Sequence, residues 1–160
     1  MAIFWNDGTE LYHYGILGQK WGVRRYQNPD GTLTEEGKRR YGKEYSNKLK
    51  KSGYKPTKTS AYKDAAKKLG KQMQALDNKY KDKTVPSSEI NKMKVSQEKQ
   101  LRELVYKEAF KKLRSYGVED NKADAGARYY ASKIENISLF APVLNEYDKN
   151  LNVRITNNRY

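Results

Sequence analysis

From residue 34 onward the apolar positions recur mostly at helical spacing, with polar residues filling the remaining faces. Tyr41, Tyr45 and Leu49 fall at i, i+4 and i+8, so the first helix is expected from Thr34 to about Ser52. Thr34 suits the N-cap, Glu35 and Glu36 the positive end of the helix dipole, and Gly53 the stop. A second helix is expected over Ala61 to about Asp82, where Tyr62, Ala66, Leu69, Met73, Leu76 and Tyr80 step by fours and threes. Such a heptad-like seam needs a partner stripe, and Gly70 inside it costs about 1 kcal/mol against alanine. A third runs from about Ser88 to Tyr116 through Ile90, Met93, Leu101, Leu104, Val105, Phe110 and Leu113, with Gly117 as its stop. The short Pro86 turn lets these two fold back as an antiparallel hairpin whose stripes bury each other. A fourth covers Asn121 to about Asn136, carrying Ala123, Ala127, Tyr130, Ile134 and Ile137, and its Ala123, Ala125, Gly126 and Ala127 permit close helix approach. These seams either complete an intramolecular bundle or pair between subunits, so self-association stays open. Pro142 interrupts the pattern, after which Leu151, Val153 and Ile155 alternate with polar residues as a short C-terminal strand does.

No amphipathic period explains residues 11–41, LYHYGILGQKWGVRRYQNPDGTLTEEGKRRY, which hold five glycines, a Trp, four Tyr and the only His of the chain. Glycines at this spacing allow tight turns, and Ile16, Leu17, Trp21 and Val23 give those turns apolar bodies to fold around. Val23 to Gln27 suits a strand, Asn28-Pro29-Asp30-Gly31 is turn chemistry, and Thr32-Leu33 resumes extended structure. Ahead of it, Ala2 to Trp5 and Thr9 to Tyr14 flank Asn6-Asp7-Gly8 as the arms of a hairpin flank its turn. The expected class is therefore α+β, mainly α. A compact Gly/Trp-rich β module over residues 1–41 precedes a basic helical hairpin or bundle over 42–160, with a linker at about 53–60.

Within that module GILGQKWGVRRYQNPDGTLTEEGKRRY resembles a segment, usually close to HGILGxKWGVRRYQNxDGTLTxxGxxRY, that recurs in virion or structural-region proteins of tailed phages and prophages of Gram-positive bacteria. The resemblance covers residues 15–41 and implies association with phage particles or their assembly, without implying a reaction. Such segments often carry two adjacent His before the first Gly, whereas this chain reads Tyr12-His13-Tyr14-Gly15, so a metal site built on a His pair is not expected. Trp5, Trp21, Arg24, Arg25 and Tyr26 are the candidate protein-docking residues, because Trp and Arg are enriched at binding hot spots. The core of a small module that lacks other large residues suits the two Trp better than a docking surface does.

Charge separates the regions further. The chain carries +14, and residues 38–71 alone hold thirteen Lys/Arg against two Asp/Glu. Lys38, Arg39, Arg40, Lys43, Lys48, Lys50, Lys51, Lys55, Lys58, Lys67, Lys68 and Lys71 are the candidate nucleic-acid contacts, since such a block attracts polyanions in a salt-dependent way. The alternative is a solvated face that keeps a helical structural protein in solution. Hydrophobic residues make up 36% of the chain, and 14 of its 19 aromatics are Tyr, so a thin core lined by amphipathic rings is expected. The absence of cysteine excludes disulfides and thiolate zinc sites. No apolar run approaches the roughly 20 residues of a membrane span, and residues 1–5 do not make a signal peptide.

Candidate chemistry is sparse. One histidine cannot supply H-E-x-x-H, and neither G-x-S-x-G nor G-x-x-x-x-G-K-[ST] occurs. His13 lacks a recognisable carboxylate or nucleophile partner in sequence, and a packing role suits it better than general-base catalysis. The expected function is binding without catalysis or cofactor. The chain would be a structural or accessory protein of the virion, or of the host cytoplasm during assembly, docking on head or connector proteins and facing DNA. A soluble nucleic-acid-binding or host-directed accessory protein is the alternative.

Overall fold

The computed structural model describes residues 25–80 and 84–157, from residue 149 onward by backbone alone. Five helices pack together: α1 (Glu35–Lys51), α2 (Ser60–Tyr80), α3 (Ser87–Ser115), α4 (Asp120–Lys133) and α5 (Asn136–Asn157). Among the described residues there is no strand, only an isolated antiparallel bridge between Gln27 and Leu33. The hairpin expected over residues 2–14 lies outside the described residues.

The helix ends follow local chemistry. The Thr34 hydroxyl accepts from the Gly37 N–H as N-cap of α1. Gly53 (φ +69°) and Gly117 (φ +74°) follow α1 and α3 in the left-handed region, which only glycine enters without a Cβ penalty. The boundary at residue 41 falls within α1, and the stretch 53–60 is packed into the body. There Pro56 opens a short 3₁₀ turn and is fully buried, and the Tyr130 hydroxyl donates to the Tyr54 carbonyl at 3.2 Å.

Two expectations are corrected. The C-terminal strand is absent, because α5 continues through Pro142 to Asn157 and residues 151–155 are helical. Leu139 and Val143, one turn apart, are completely buried on α5, and this packed face holds the helix together across the missing Pro142 N–H. The second correction concerns pairing. The stripe of α2 lies mainly along α5, with smaller contact to α3, so the α2–α3 hairpin is not the principal unit. Gly70 suits the close α2–α5 pairing, because a Cβ there would stand 3.0 Å from the Glu146 Cβ and 3.2 Å from the Val143 carbonyl oxygen and the Tyr147 nitrogen. The loss of helix propensity at Gly70 is offset by close packing. Tyr62 of α2 is fully buried and its hydroxyl donates to the Leu139 carbonyl, which satisfies a polar group in the core.

Helix α3 joins the α2–α5 pair to α4, which packs on α1. Its buried residues Gln97, Leu101, Val105, Ala109 and Leu113 step strictly by four. At about 100° per residue each step drifts ~40°, so the stripe winds around the helix by roughly 160°. Its early part therefore faces α2, where the Gln97 side chain donates to the Leu69 carbonyl at 3.3 Å. Its late part faces α4, where the Leu113 side chain lies against Gly126. Helices α1 and α4 cross closely at that point, since a Cβ on Gly126 would lie 2.6 Å from the Tyr45 Cβ. Ala123, Ala125 and Ala127 are buried beside it, as small residues at a close crossing must be. Arg102 ties the end of α4 to the start of α5 by donating to the Ala131 carbonyl (2.6 Å) and the Asn136 side chain (2.7 Å).

Candidate docking segment and basic surface

The described part of the resembling segment, from Arg25 onward, is fastened to α1 and α4 by its own polar groups. Asn28 and Gly31 close the turn through Gly31 N–H to the Asn28 carbonyl (3.0 Å), and the Asp30 carboxylate accepts from the Thr32 N–H (2.9 Å). The Asn121 side chain of α4 donates to the Gly31 carbonyl at 3.0 Å, which fixes the turn against the body. Thr34 acts twice, capping α1 and donating its hydroxyl to the Arg25 carbonyl at 2.9 Å. Gly37 completes the fastening, because a Cβ there would stand 2.1 Å from the Tyr26 carbonyl oxygen. The spacing of turn, Thr and Gly is thus a packing requirement of this segment.

Two of the candidate docking residues meet around one ring. Arg25 and Arg40 place their guanidinium carbons 5.5 and 4.5 Å from the Tyr26 ring centre, and the Tyr26 ring meets Tyr41 edge to face at 6.2 Å. Arg25 also pairs with Glu36 at 2.8 Å while its side chain stays half exposed. The hydrogen bond from Arg25 holds the Glu36 carboxyl below its ordinary range, and Glu36 raises Arg25 in turn. Trp5, Trp21, Arg24 and His13 lie outside the described residues.

All thirteen Lys and Arg from 38 to 71 are exposed. On α1, Arg39, Lys43 and Lys50 occupy one solvent stripe at i, i+4 and i+11, beside Arg40 and Lys51. On α2, Lys67 and Lys71 share a stripe with Lys63, and Lys68 stands on the neighbouring exposed row. Lys55 precedes the 3₁₀ turn and Lys58 is its last residue. Among the described residues only Lys38 of this set forms an ion pair, with Glu35 at 2.6 Å, while Lys48 lies over the Tyr116 ring. Lys63 is absent from the candidate contacts read from sequence, although its four-residue spacing to Lys67 places it on the same face.

A shallow groove of about 520 Å³ between α3 and α4 is lined by Val95, Glu98, Arg102, Tyr106 and Arg128 among others. Burial would raise the neighbouring Asp124, but hydrogen bonds from Arg128 and Tyr106 leave it lowered, so the mixed charges there are spent on one another. Among the described residues no group of three or more His, Asp or Glu is placed to hold a metal ion, and no helix is long and apolar enough to cross a membrane. Comparison with protein families, curated proteins and solved structures finds no match to this chain.

Proposed function

We propose that this is a virion-associated structural or accessory protein of a tailed phage or prophage, acting by binding. Residues 1–41 dock on head or connector components, and the basic helical body faces DNA or neighbouring subunits. The observation that carries the reading is the exposure of all thirteen cations from Lys38 to Lys71, with only Lys38 ion-paired among the described residues. Cations crowded in this way repel one another and hold counterions, and a polyanion relieves the repulsion while releasing those ions. Two further features support it: the resemblance of residues 15–41 to virion proteins, and the exposed apolar Ile137 and Leu144 of α5, spaced to meet a neighbouring surface. The reading calls for no catalytic residue and no cofactor.

Mass spectrometry of purified particles and assembly intermediates tests the placement. The chain is expected in one or both, and its absence from both would contradict the proposal.

A further inference from the structure

Where α1 and α3 end side by side, two lysines from different helices converge on one aromatic ring. Tyr116 caps α3 and is 36% exposed. Lys112 of α3 places its ammonium 4.9 Å from the ring centre, and Lys48 of α1 places its own at 5.6 Å. Beside them lies an open depression of about 400 Å³ lined by Glu44, Asn47, Lys48 and Lys51. Arg114, two residues before Tyr116, is already spent on the Val118 carbonyl and Asp120. Lys48, Lys51 and Lys112 have no carboxylate within ion-pair distance among the described residues, although Glu44 and Glu108 stand one turn before Lys48 and Lys112.

Lysines in the last turn of a helix complement its dipole, and that accounts for their charge. It does not account for an exposed ring shared by two of them, or for the depression beside it. We propose that this corner is a binding site for single-stranded nucleic acid. An unstacked base lies on Tyr116, and its flanking phosphates take Lys48, Lys51 and Lys112. A cation over an exposed ring is weakly held, and a lysine stem is flexible enough to carry the ammonium from ring to phosphate as the base arrives. Asn47 offers donors and an acceptor at the rim of the depression. A duplex, whose base faces are already stacked, gains nothing from the ring. The inference rests on the reading of the basic body as DNA-facing and adds to it the strand form and the residue that selects it.

The test is fluorescence anisotropy of the full chain with a labelled oligothymidine and, in parallel, with a blunt DNA duplex of equal length at low salt. Tyr116→Leu is expected to weaken single-strand binding about tenfold and leave duplex binding unchanged, while Tyr116→Phe keeps both. Glu44→Gln, which removes the carboxylate facing the phosphate, is expected to tighten single-strand binding about twofold. Circular dichroism melts of each variant separate loss of contact from loss of fold. Wild-type binding that Tyr116→Leu does not move, or an equal loss for both oligonucleotides, overturns this inference alone. Failure of the wild-type chain to bind either oligonucleotide overturns the DNA-facing reading and the inference with it.

Discussion

The segment from Arg25 to Tyr41 and the cationic run from Lys38 to Lys71 overlap in sequence, yet they spend their side chains in opposite directions. In the first, polar groups are spent on the segment's own bonds: Thr34 caps and ties, Asn28 and Asp30 shape the turn, Asn121 reaches across to Gly31, and Arg25 pairs with Glu36 over Tyr26. In the second, the cations turn outward, and among the described residues all but Lys38 lack an ion-pair partner. Residues 25–37 are thus largely occupied in fastening the turn to the helical body. The charge left free for a partner begins at Arg39 and runs on along α1 and α2.

That contrast can be broken from the inward side first. Gly37→Ala drives a Cβ to within 2.1 Å of the Tyr26 carbonyl oxygen, and the turn must leave α1 to accommodate it. A gain of about 0.4–1 kcal/mol from a stiffer unfolded chain is outweighed by a clash of about 3 kcal/mol. Urea unfolding is expected to show that loss, and an unchanged midpoint would mean the segment is not held as described. Thr34→Ala removes the cap and the tie to the Arg25 carbonyl together. It is expected to cost about 1 kcal/mol, and Thr34→Ser to restore most of it.

A smaller effect follows from acid titration. The folded-state pKa of Glu36 is lowered below its ordinary 4.5 by the Arg25 hydrogen bond. Its contribution is therefore fully present above that value and is lost as pH falls through the lower folded one. Because the pair is exposed, the melting temperature of Glu36→Gln is expected to differ only slightly from wild type at neutral pH, and the difference to vanish on acidification. A difference that grows toward low pH would contradict the pairing. On the outward side, exchanging Arg39, Lys43, Lys50, Lys67 and Lys71 singly for Gln is expected to leave stability within about 0.5 kcal/mol each. Retention of each variant on a polyanion column is expected to shorten, and a substitution that instead unfolds the chain would show its cation to be structural.

Much of this was legible from residue spacing. Thr34 with Glu35 and Glu36 marked the start of α1, Gly53 and Gly117 marked ends, and Asn28 to Gly31 marked the turn, because each is dictated by backbone chemistry within a few residues. Partners were less legible. The seam of α2 requires burial without specifying α5, and one feature of that pairing, Gly70 against the Val143 carbonyl, reads in sequence only as a weak helix position. Helix α5 was obscured by Pro142 and by the alternation of Leu151, Val153 and Ile155, although Leu151 and Ile155 also stand one helical turn apart. Stretch 53–60 read as a linker because Lys and Thr surround Pro56, and nothing local announces that Pro56 is buried. Of the candidate site, the exposure of the basic run follows from helical periodicity. The convergence of Lys48 and Lys112 on Tyr116 requires two helices to end together and has no signal in the chain order.

The salt dependence of DNA binding by the intact chain tests the outward-facing charge most directly. Plotted as log affinity against log salt, it is expected to fall steeply, with a slope near −0.9 for each phosphate neutralised on a duplex, and to flatten as the five outward cations are exchanged together. Binding that is absent at low salt, or a slope unaffected by removing those five charges, would contradict the account.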